Sequence, residues 1–547
     1  MTGGRALNWL LPAALVAFAT VACAFTGLDA QVLPLSAESR RIAAACAVSL
    51  AYAAFCVTLI RHHRSRHTSA IERQPPAADG RAGSFVVAFA SQTGTAETLA
   101  EATAYSLVKG GVPARLRPLS ALDVAQLNAV ETILFVVSTT GEGDPPDDAS
   151  HFVRSVMGGS PPLPRLRYGL LALGDREYSQ FCAFGRALDN WLRAQGANPL
   201  FDAIEVNNGD RAALDLWQAR LLELGVQAHV HAAPPASDGR WTLTSRNLLN
   251  PECPDFPAFH ICLTQSSGTP PIWQAGDIAV IRPRHAPETV EEFLRKTGLC
   301  GNQTVALDGA GVPLRDLLAC CVLPESTAEI AALTALPPES LSESLRPLPT
   351  RDYSIASLAT DGGMELLVRG MRHPDGRPGL GSGWLTLHAA IGDEIAVHVR
   401  TNRNFHGPAP ERPLILIGNG TGIAGLRAHQ KARALAGRGD NWLIFGERRR
   451  AQDFFYQAEI ESWQSQGMLA RVDLAFSRDQ PERVYVQDIL RREHATLSAW
   501  IARGAAVYVC GSRDGMAGGV DRVLRDVLGD RTVDEMSDSR LYRRDIY

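Results

Sequence analysis

Hydrophobic positions along this chain follow three regimes. The first is continuous: no charged residue interrupts Ala6 to Leu28 or Ile42 to Ile60. At a rise of about 1.5 Å per residue, each stretch reaches across roughly 30 Å of hydrocarbon, so the pattern predicts two transmembrane helices. Arg61, Arg64 and Arg66, interleaved with His62, His63 and His67, follow the second stretch. That basic cluster favours a hairpin with both ends on the cytoplasmic side. A cleaved export signal is the competing reading of the first stretch, because Arg5 precedes an apolar run ending in small residues.

The second regime consists of short apolar runs that each end in a loop rich in glycine or hydroxyls. Phe85–Ala90 leads into Ser91, Gln92, Thr93, Gly94, Thr95 and Ala96, then a helix-like stretch from Thr98 to Lys109. Thr132–Val137 leads into Ser138, Thr139, Thr140 and Gly141, and Tyr168–Leu173 into Gly174, Asp175, Tyr178, Phe181 and Cys182. Pro413–Ile417 leads into Gly420, Thr421 and Gly422. Strand, loop, helix is the layout of an anion site, where loop N–H groups meet the positive end of a helix. The first loop has no lysine, so a triphosphate with magnesium fits it poorly. Gly420, Gly422 and Gly425 spell a dinucleotide pattern, with Glu447 placed to reach a ribose hydroxyl.

The third regime is short and alternating: Trp241–Leu249, Phe259–Thr264, Asp277–Ile281, Met364–Arg369 and Glu394–Arg400. Repeated short strands of this kind predict an antiparallel β-barrel. Residues 287–345 are richer in helix formers and read as an insertion without a core of its own. The expected division is a membrane hairpin at 1–67 and a linker at 68–83. A doubly wound domain at 84–232 and a linker at 233–239 follow, then the barrel at 240–410 and a Rossmann-like domain at 411–547. The fold class is therefore α/β multidomain, preceded by two transmembrane helices.

Composition narrows the chemistry. A net charge of −4 gives no electrostatic case for nucleic acid. The ten cysteines form no CxxC pair, so neither a disulfide framework nor a metal site is expected, and a reducing compartment fits. Candidate chemistry lies in Arg351, Asp352, Tyr353 and Ser354, followed by Gly379, Leu380, Gly381 and Ser382. A guanidinium grips a pyrophosphate, a tyrosine packs on a flat ring, and glycine lets backbone approach a phosphate.

Taken in order, SQTGTAE, STTGEGDPP and LGDREYSQFCAFGRALD resemble flavodoxin, and RDYS with GLGS resembles the FAD module of ferredoxin–NADP reductase-like enzymes. GNGTGIAGLR and SRDQPERVYVQ resemble the NADPH module of diflavin reductases. The chain thus resembles the NADPH-dependent diflavin reductases, of the sulfite reductase flavoprotein and NADPH–haemoprotein reductase type. The resemblance implies FMN at Ser91–Ala96, Ser138–Gly141 and Leu173–Cys182, with Tyr178 stacked on the ring. It implies FAD at Arg351–Ser354 and Gly379–Ser382, under Tyr547. It implies NADPH at Gly420, Thr421, Gly422, Arg427, Ser477, Arg478, Arg483, Tyr485 and Gln487, and hydride transfer assisted by Ser354, Cys510 and Asp545. The sequence departs from the family at Thr140 (an aromatic in some relatives), at Gly425–Leu426 (Pro-Phe) and at Gly519 (an aspartate).

The implied activity carries a hydride from NADPH to FAD, then electrons to FMN and singly to a haemoprotein or ferric acceptor. The hairpin implies membrane lipid as a partner and a two-pass membrane location. A flavoprotein component of a sulfite reductase and a catalytically impaired flavin-binding membrane sensor are the alternatives. Glu142, Asp144, Asp147 and Asp148 read equally as a docking rim for a basic partner or as a solvated edge.

Overall fold

The computed structural model describes residues 85–547, apart from 141–142, 177–179, 225–238, 254, 267–271 and 308–309. Both predicted membrane segments, 6–28 and 42–60, lie outside the described residues, as do the linker at 68–83, Gly141 and Tyr178.

The first module is a six-stranded parallel sheet: β1 (Phe85–Ala90), β2 (Ala114–Pro118), β3 (Thr132–Ser138), β4 (Arg167–Gly174), β5 (Asn198–Pro199) and β6 (Ile204–Asn207). The order is 2-1-3-4-5, with β6 also on β4. β1, β3 and β4 are nearly continuous apolar runs because helices cover both sheet faces. The order in which strands are added reverses between β1 and β3, so the loops after these strands open into one crevice. Helix α1 (Thr95–Lys109) starts directly behind Gly94.

The second module is antiparallel. β7 (Gly239–Leu248), β8 (Ala258–Gln265) and β9 (Ile278–Ile281) precede a segment containing the hairpin β10 (Thr304–Leu307) and β11 (Ala310–Pro313). β12 (Arg351–Ser354), β13 (Met364–Arg369) and β14 (Glu394–Arg400) complete a sheet of order 12-9-14-7-8-13. A single bridge, Ile355 to Leu366, ties one end strand to the other, leaving a nearly closed barrel. Trp241, Trp273 and Trp384 fill its interior. The alternation predicted five strands; β12, the strand carrying RDYS, has too little apolar content to reveal itself.

The inserted segment corrects the expectation that it lacks a core. Val290, Phe293, Leu294, Leu314, Leu317, Leu318 and Leu341 are buried together in a cluster separate from the barrel interior. Each of its helices is short, and their apolar faces meet one another.

The third module is a parallel sheet of β15 (Leu414–Asn419), β16 (Asn441–Glu447), β17 (Arg471–Phe476), β18 (Ala506–Gly511) and β19 (Tyr542–Ile546), ordered 17-16-15-18-19. Helix α2 (Ile423–Leu435) follows the glycine turn after β15. The switch point falls between β15 and β18, where Gly418 pairs with Cys510. Among the described residues, no helix is long and apolar enough to cross a membrane.

Candidate functional site: a cleft between barrel and nucleotide module

A cleft of about 1170 Å³ opens where the barrel meets the switch point of the third sheet. The barrel contributes Arg351–Ser354, Arg369 and Gly379–Ser382. The third module contributes Gly420, Thr421, Glu447, Arg448, Ser477, Arg478, Arg483, Tyr485, Gln487, Asp545 and Tyr547, and Thr93 reaches it from the first.

In its wall Ser354 and Asp545 meet, and Cys510, wholly buried behind the lining, joins them. Ser354, at the end of β12, donates its hydroxyl to Asp545 Oδ2 at 2.7 Å. Cys510 stands beside Asp545 in the parallel register of β18 and β19, and its thiol donates to the same oxygen at 3.7 Å. Burial pushes the Asp545 carboxyl above its ordinary range, while the bonds from Ser354 and Cys510 pull it down. Burial, with Asp545 adding to it, pushes the Cys510 thiol well up, so it stays protonated at neutral pH. The trio is therefore a protonated thiol and a hydroxyl sharing one buried carboxyl. Tyr547 is 54% exposed at the mouth, its hydroxyl 3.0 Å from Thr421 Oγ1.

Two cradles flank the trio. At the first, Gly381 lies so close to β12 that a Cβ there would sit 2.6 Å from Arg351 Cγ and 2.9 Å from the Tyr353 hydroxyl. Only glycine lets the helical turn Leu380–Gly383 pack this closely on the Arg351 side chain. That juxtaposition fits the pyrophosphate of FAD. The Ser382 hydroxyl instead accepts from Met371 N at 3.1 Å, bracing the turn.

At the second cradle, Ser477, Arg478, Arg483, Tyr485 and Gln487 gather beyond the end of β17. Gln487 Oε1 is buried without a hydrogen-bond partner. Its side chain takes the space beside Gly519, where an added Cβ would lie 3.1 Å from it, so no aspartate fits there without displacing it. Sequence reasoning missed two residues here. The Arg448 guanidinium lies 3.4 Å over the Phe256 ring with Nη1 buried and unpaired. Arg369 crosses from the barrel to pair with Glu447, which is thereby engaged and not free for a ribose. The run Glu447-Arg448-Arg449-Arg450 was a legible signal for the first; no local pattern marks the second.

Arg427 corrects another expectation. It does not line the cleft but projects from α2 into the interior, where its guanidinium meets Glu459 at 2.5 Å, Ala356 O at 2.8 Å, and Glu365. The Tyr456 ring packs 4.6 Å from it. Gly422 is likewise packed against Cys510 and Gly511, away from the cleft lining. Arg427→Ala leaves two carboxylates without their cation, and the expected cost is about 3–5 kcal/mol of stability. The check is a denaturant melt showing that loss with KM for NADPH unchanged.

In the first module, Ser91 Oγ accepts from the N–H groups of Gly94 at 2.9 Å and Ala96 at 3.1 Å, curling the loop into a nest. Gly94 adopts φ +89°, and a Cβ there would lie 2.7 Å from Thr401 O. Thr140 Oγ1 is buried without a partner beside the second loop, as a site for a polar ligand such as FMN would leave it. Thr139 Oγ1 accepts from Phe184 N at 3.3 Å. Cys182 donates to Ala172 O at 3.3 Å, and burial pushes its thiol up to about 12, so it packs without reacting. The Gln92 amide points away from the loop's interior and is committed to Asp147 at 3.1 Å and to Arg544 O at 2.8 Å, which leaves its backbone N–H as its contribution to the loop.

Nor are Asp147 and Asp148 a solvated edge. Asp147 pairs with Arg544, and Asp148 accepts the Ser91 N–H at 3.1 Å. Burial under the loop pushes Asp148 up to about 7. A folded-state pKa raised from 3.8 means that stability present below pH 4 is lost as pH rises towards 7. Asp148→Asn is therefore expected to raise Tm at pH 8 by a few degrees, on the order of 3 °C, and to leave it unchanged at pH 4. Scanning calorimetry at the two pH values checks the sign.

A family model described as flavodoxin matches residues 87–217, and one described as oxidoreductase NAD-binding domain matches residues 416–522. The chain is 30% identical over 552 residues to the sulfite reductase [NADPH] flavoprotein alpha-component of Klebsiella pneumoniae, covering 86% of this chain and 91% of that one. The same component of Salmonella typhi is 30% identical over 552 residues, with 86% and 91% covered. That of Vibrio vulnificus is 30% identical over 549 residues, with 85% and 88% covered. These relatives overturn the two-pass membrane location. They bear the name of a sulfite reductase component, and no described helix of this chain can span a bilayer.

Proposed function

From the premise that this chain belongs to the NADPH-dependent diflavin reductase family, we propose that Ser354, Cys510 and Asp545 form its hydride-transfer site and that its electrons go to a haemoprotein. The chain is an NADPH-dependent flavoprotein reductase that uses FMN and FAD. When bound, NADPH supplies a hydride, FAD takes it, and FMN passes electrons on singly. The residues of the chain bind, orient and shield. The Arg351 guanidinium and the Gly379–Ser382 turn hold the FAD pyrophosphate. Ser477, Arg478, Arg483 and Tyr485, joined by Arg448, hold the phosphates of NADPH. Tyr547, exposed at the mouth, would shield the flavin and would have to move aside to admit a nicotinamide.

The observation that carries this reading is the convergence of Ser354 and Cys510 on the buried Asp545 carboxyl in the cleft wall. Such a carboxyl stabilises positive charge developing on the nicotinamide as hydride leaves. The relatives' name supports a sulfite reductase flavoprotein component as the specific form of this activity, with the haemoprotein as its partner.

Extraction of one FAD and one FMN per chain, with NADPH-driven reduction of ferricyanide and cytochrome c, tests the reductase. Absence of turnover with both flavins bound would sink the site assignment. Reduction of a sulfite-reducing haemoprotein by the NADPH-fed chain tests the partner.

A further inference from the structure

The phosphate loop of the first module is braced from outside that module. Its backbone carbonyls are the contact points. Arg400 Nε donates to Thr93 O at 2.7 Å, and Asn404 Nδ2 donates to Ser91 O at 2.5 Å. Thr401 O closes over Gly94, whose left-handed conformation turns the loop. Arg400 is itself fixed by a 2.5 Å pair with Asp352, two residues before Ser354 on β12. A peptide whose carbonyl is drawn one way turns the following N–H the other way, because the peptide unit is planar. Anchoring Ser91 O from the barrel side therefore orients the N–H of Gln92, and anchoring Thr93 O holds the N–H of Gly94 on Ser91 Oγ, which keeps the loop curled.

We propose that Arg400 and Asn404 are positioning residues for FMN: by holding these two carbonyls they preorganise the phosphate loop, so FMN binds more tightly when the first module is docked. By linkage the coupling runs both ways, and FMN favours the docked arrangement to the same degree. A module that has lost its flavin docks more weakly than a loaded one.

The inference rests on the reading of Ser91–Ala96 as the FMN phosphate loop, and the test separates the two. The full chain is stripped of FMN with FAD retained, and FMN is titrated back by quenching of its fluorescence. Ser91→Ala tests the loop itself: unchanged FMN affinity in that variant overturns the reading on which the inference depends. Given a weakened Ser91→Ala, Asn404→Ala and Arg400→Gln are each expected to weaken FMN about tenfold, as loss of one well-placed hydrogen bond does, with FAD content unaltered. Arg400→Lys keeps a donor for Thr93 O and restores part of the affinity. Arg403→Gln is the control. It breaks the pair with Glu97 on α1, an inter-module contact that touches no loop carbonyl, so FMN affinity falls only by the share that weaker docking accounts for, several-fold less than in Asn404→Ala. Wild-type affinity in Asn404→Ala and Arg400→Gln overturns the proposal. So does an equal loss in Arg403→Gln, which would make docking in general, not the loop carbonyls, the cause. Small-angle scattering reads the reciprocal effect: FMN shifts the wild-type chain towards its compact form, and does so less in Asn404→Ala.

Discussion

Asp545→Asn is expected to slow reduction of FAD by NADPH on the order of a hundredfold, with KM for NADPH little changed. The amide still accepts from Ser354, so the geometry survives while the charge is lost. The pH profile supplies a second signature. Because the folded-state pKa of Asp545 is raised, the active carboxylate is lost as pH falls through that raised value. Wild type therefore shows an acidic limb displaced above the ordinary aspartate range, and the variant lacks it. Stability moves the opposite way. A buried carboxyl with a raised pKa opposes folding once ionised, so the asparagine variant is expected to melt higher at neutral pH. Slower hydride transfer in a more stable protein separates chemistry from folding. Stopped-flow absorbance of FAD measures the first and calorimetry the second; an unchanged rate would remove Asp545 from the mechanism.

Arg478→Ala combined with Arg483→Ala is expected to erase discrimination between NADPH and NADH. In the proposed site each arginine offers a charge-assisted bond to a phosphate that NADH lacks, and such bonds contribute roughly 1.5–3 kcal/mol. Two of them correspond to a loss on the order of a hundredfold or more in kcat/KM for NADPH. The value for NADH stays near wild type, since no partner on that substrate is removed. A parallel fall for both nucleotides would assign the arginines to the shared pyrophosphate instead. Arg448, stacked on Phe256 with an unpaired Nη1, is the residue to which that shared role falls.

What was legible in the sequence depended on how local the signal was. β1, β3, β4, β15 and β18 declare themselves because both sheet faces are covered, and each apolar run ends at a ligand loop. Ser354, Cys510 and Asp545 could be named from motifs, but their meeting on one oxygen depends on the parallel register of β18 and β19 and on where β12 ends. Arg427 misled because it follows a nucleotide loop in sequence, while the turn of α2 directs it to Glu365 and Glu459. The role of the Gln92 amide had no signal in the motif: its backbone belongs to the loop, but its amide belongs to the contact with Arg544. Arg369 and Arg400 were invisible, since each acts on another module across a distance that no sequence window spans. The insertion's core escaped notice because its apolar residues are dispersed over several short helices.

That core bears on how the barrel assembles. Ile281 of β9 lies directly across from Arg351 of β12, yet the whole insertion separates them along the chain. Bringing the ends of a flexible loop of about 70 residues together costs on the order of 2 kcal/mol more than closing a short one. An insertion that collapses first around Phe293, Leu317 and Leu341 presents its two ends as neighbours and removes most of that entropy before the strands pair. Loosening the insertion would then retard refolding of the barrel far more than it hastens unfolding, the kinetic mark of a contact already made at the rate-limiting step.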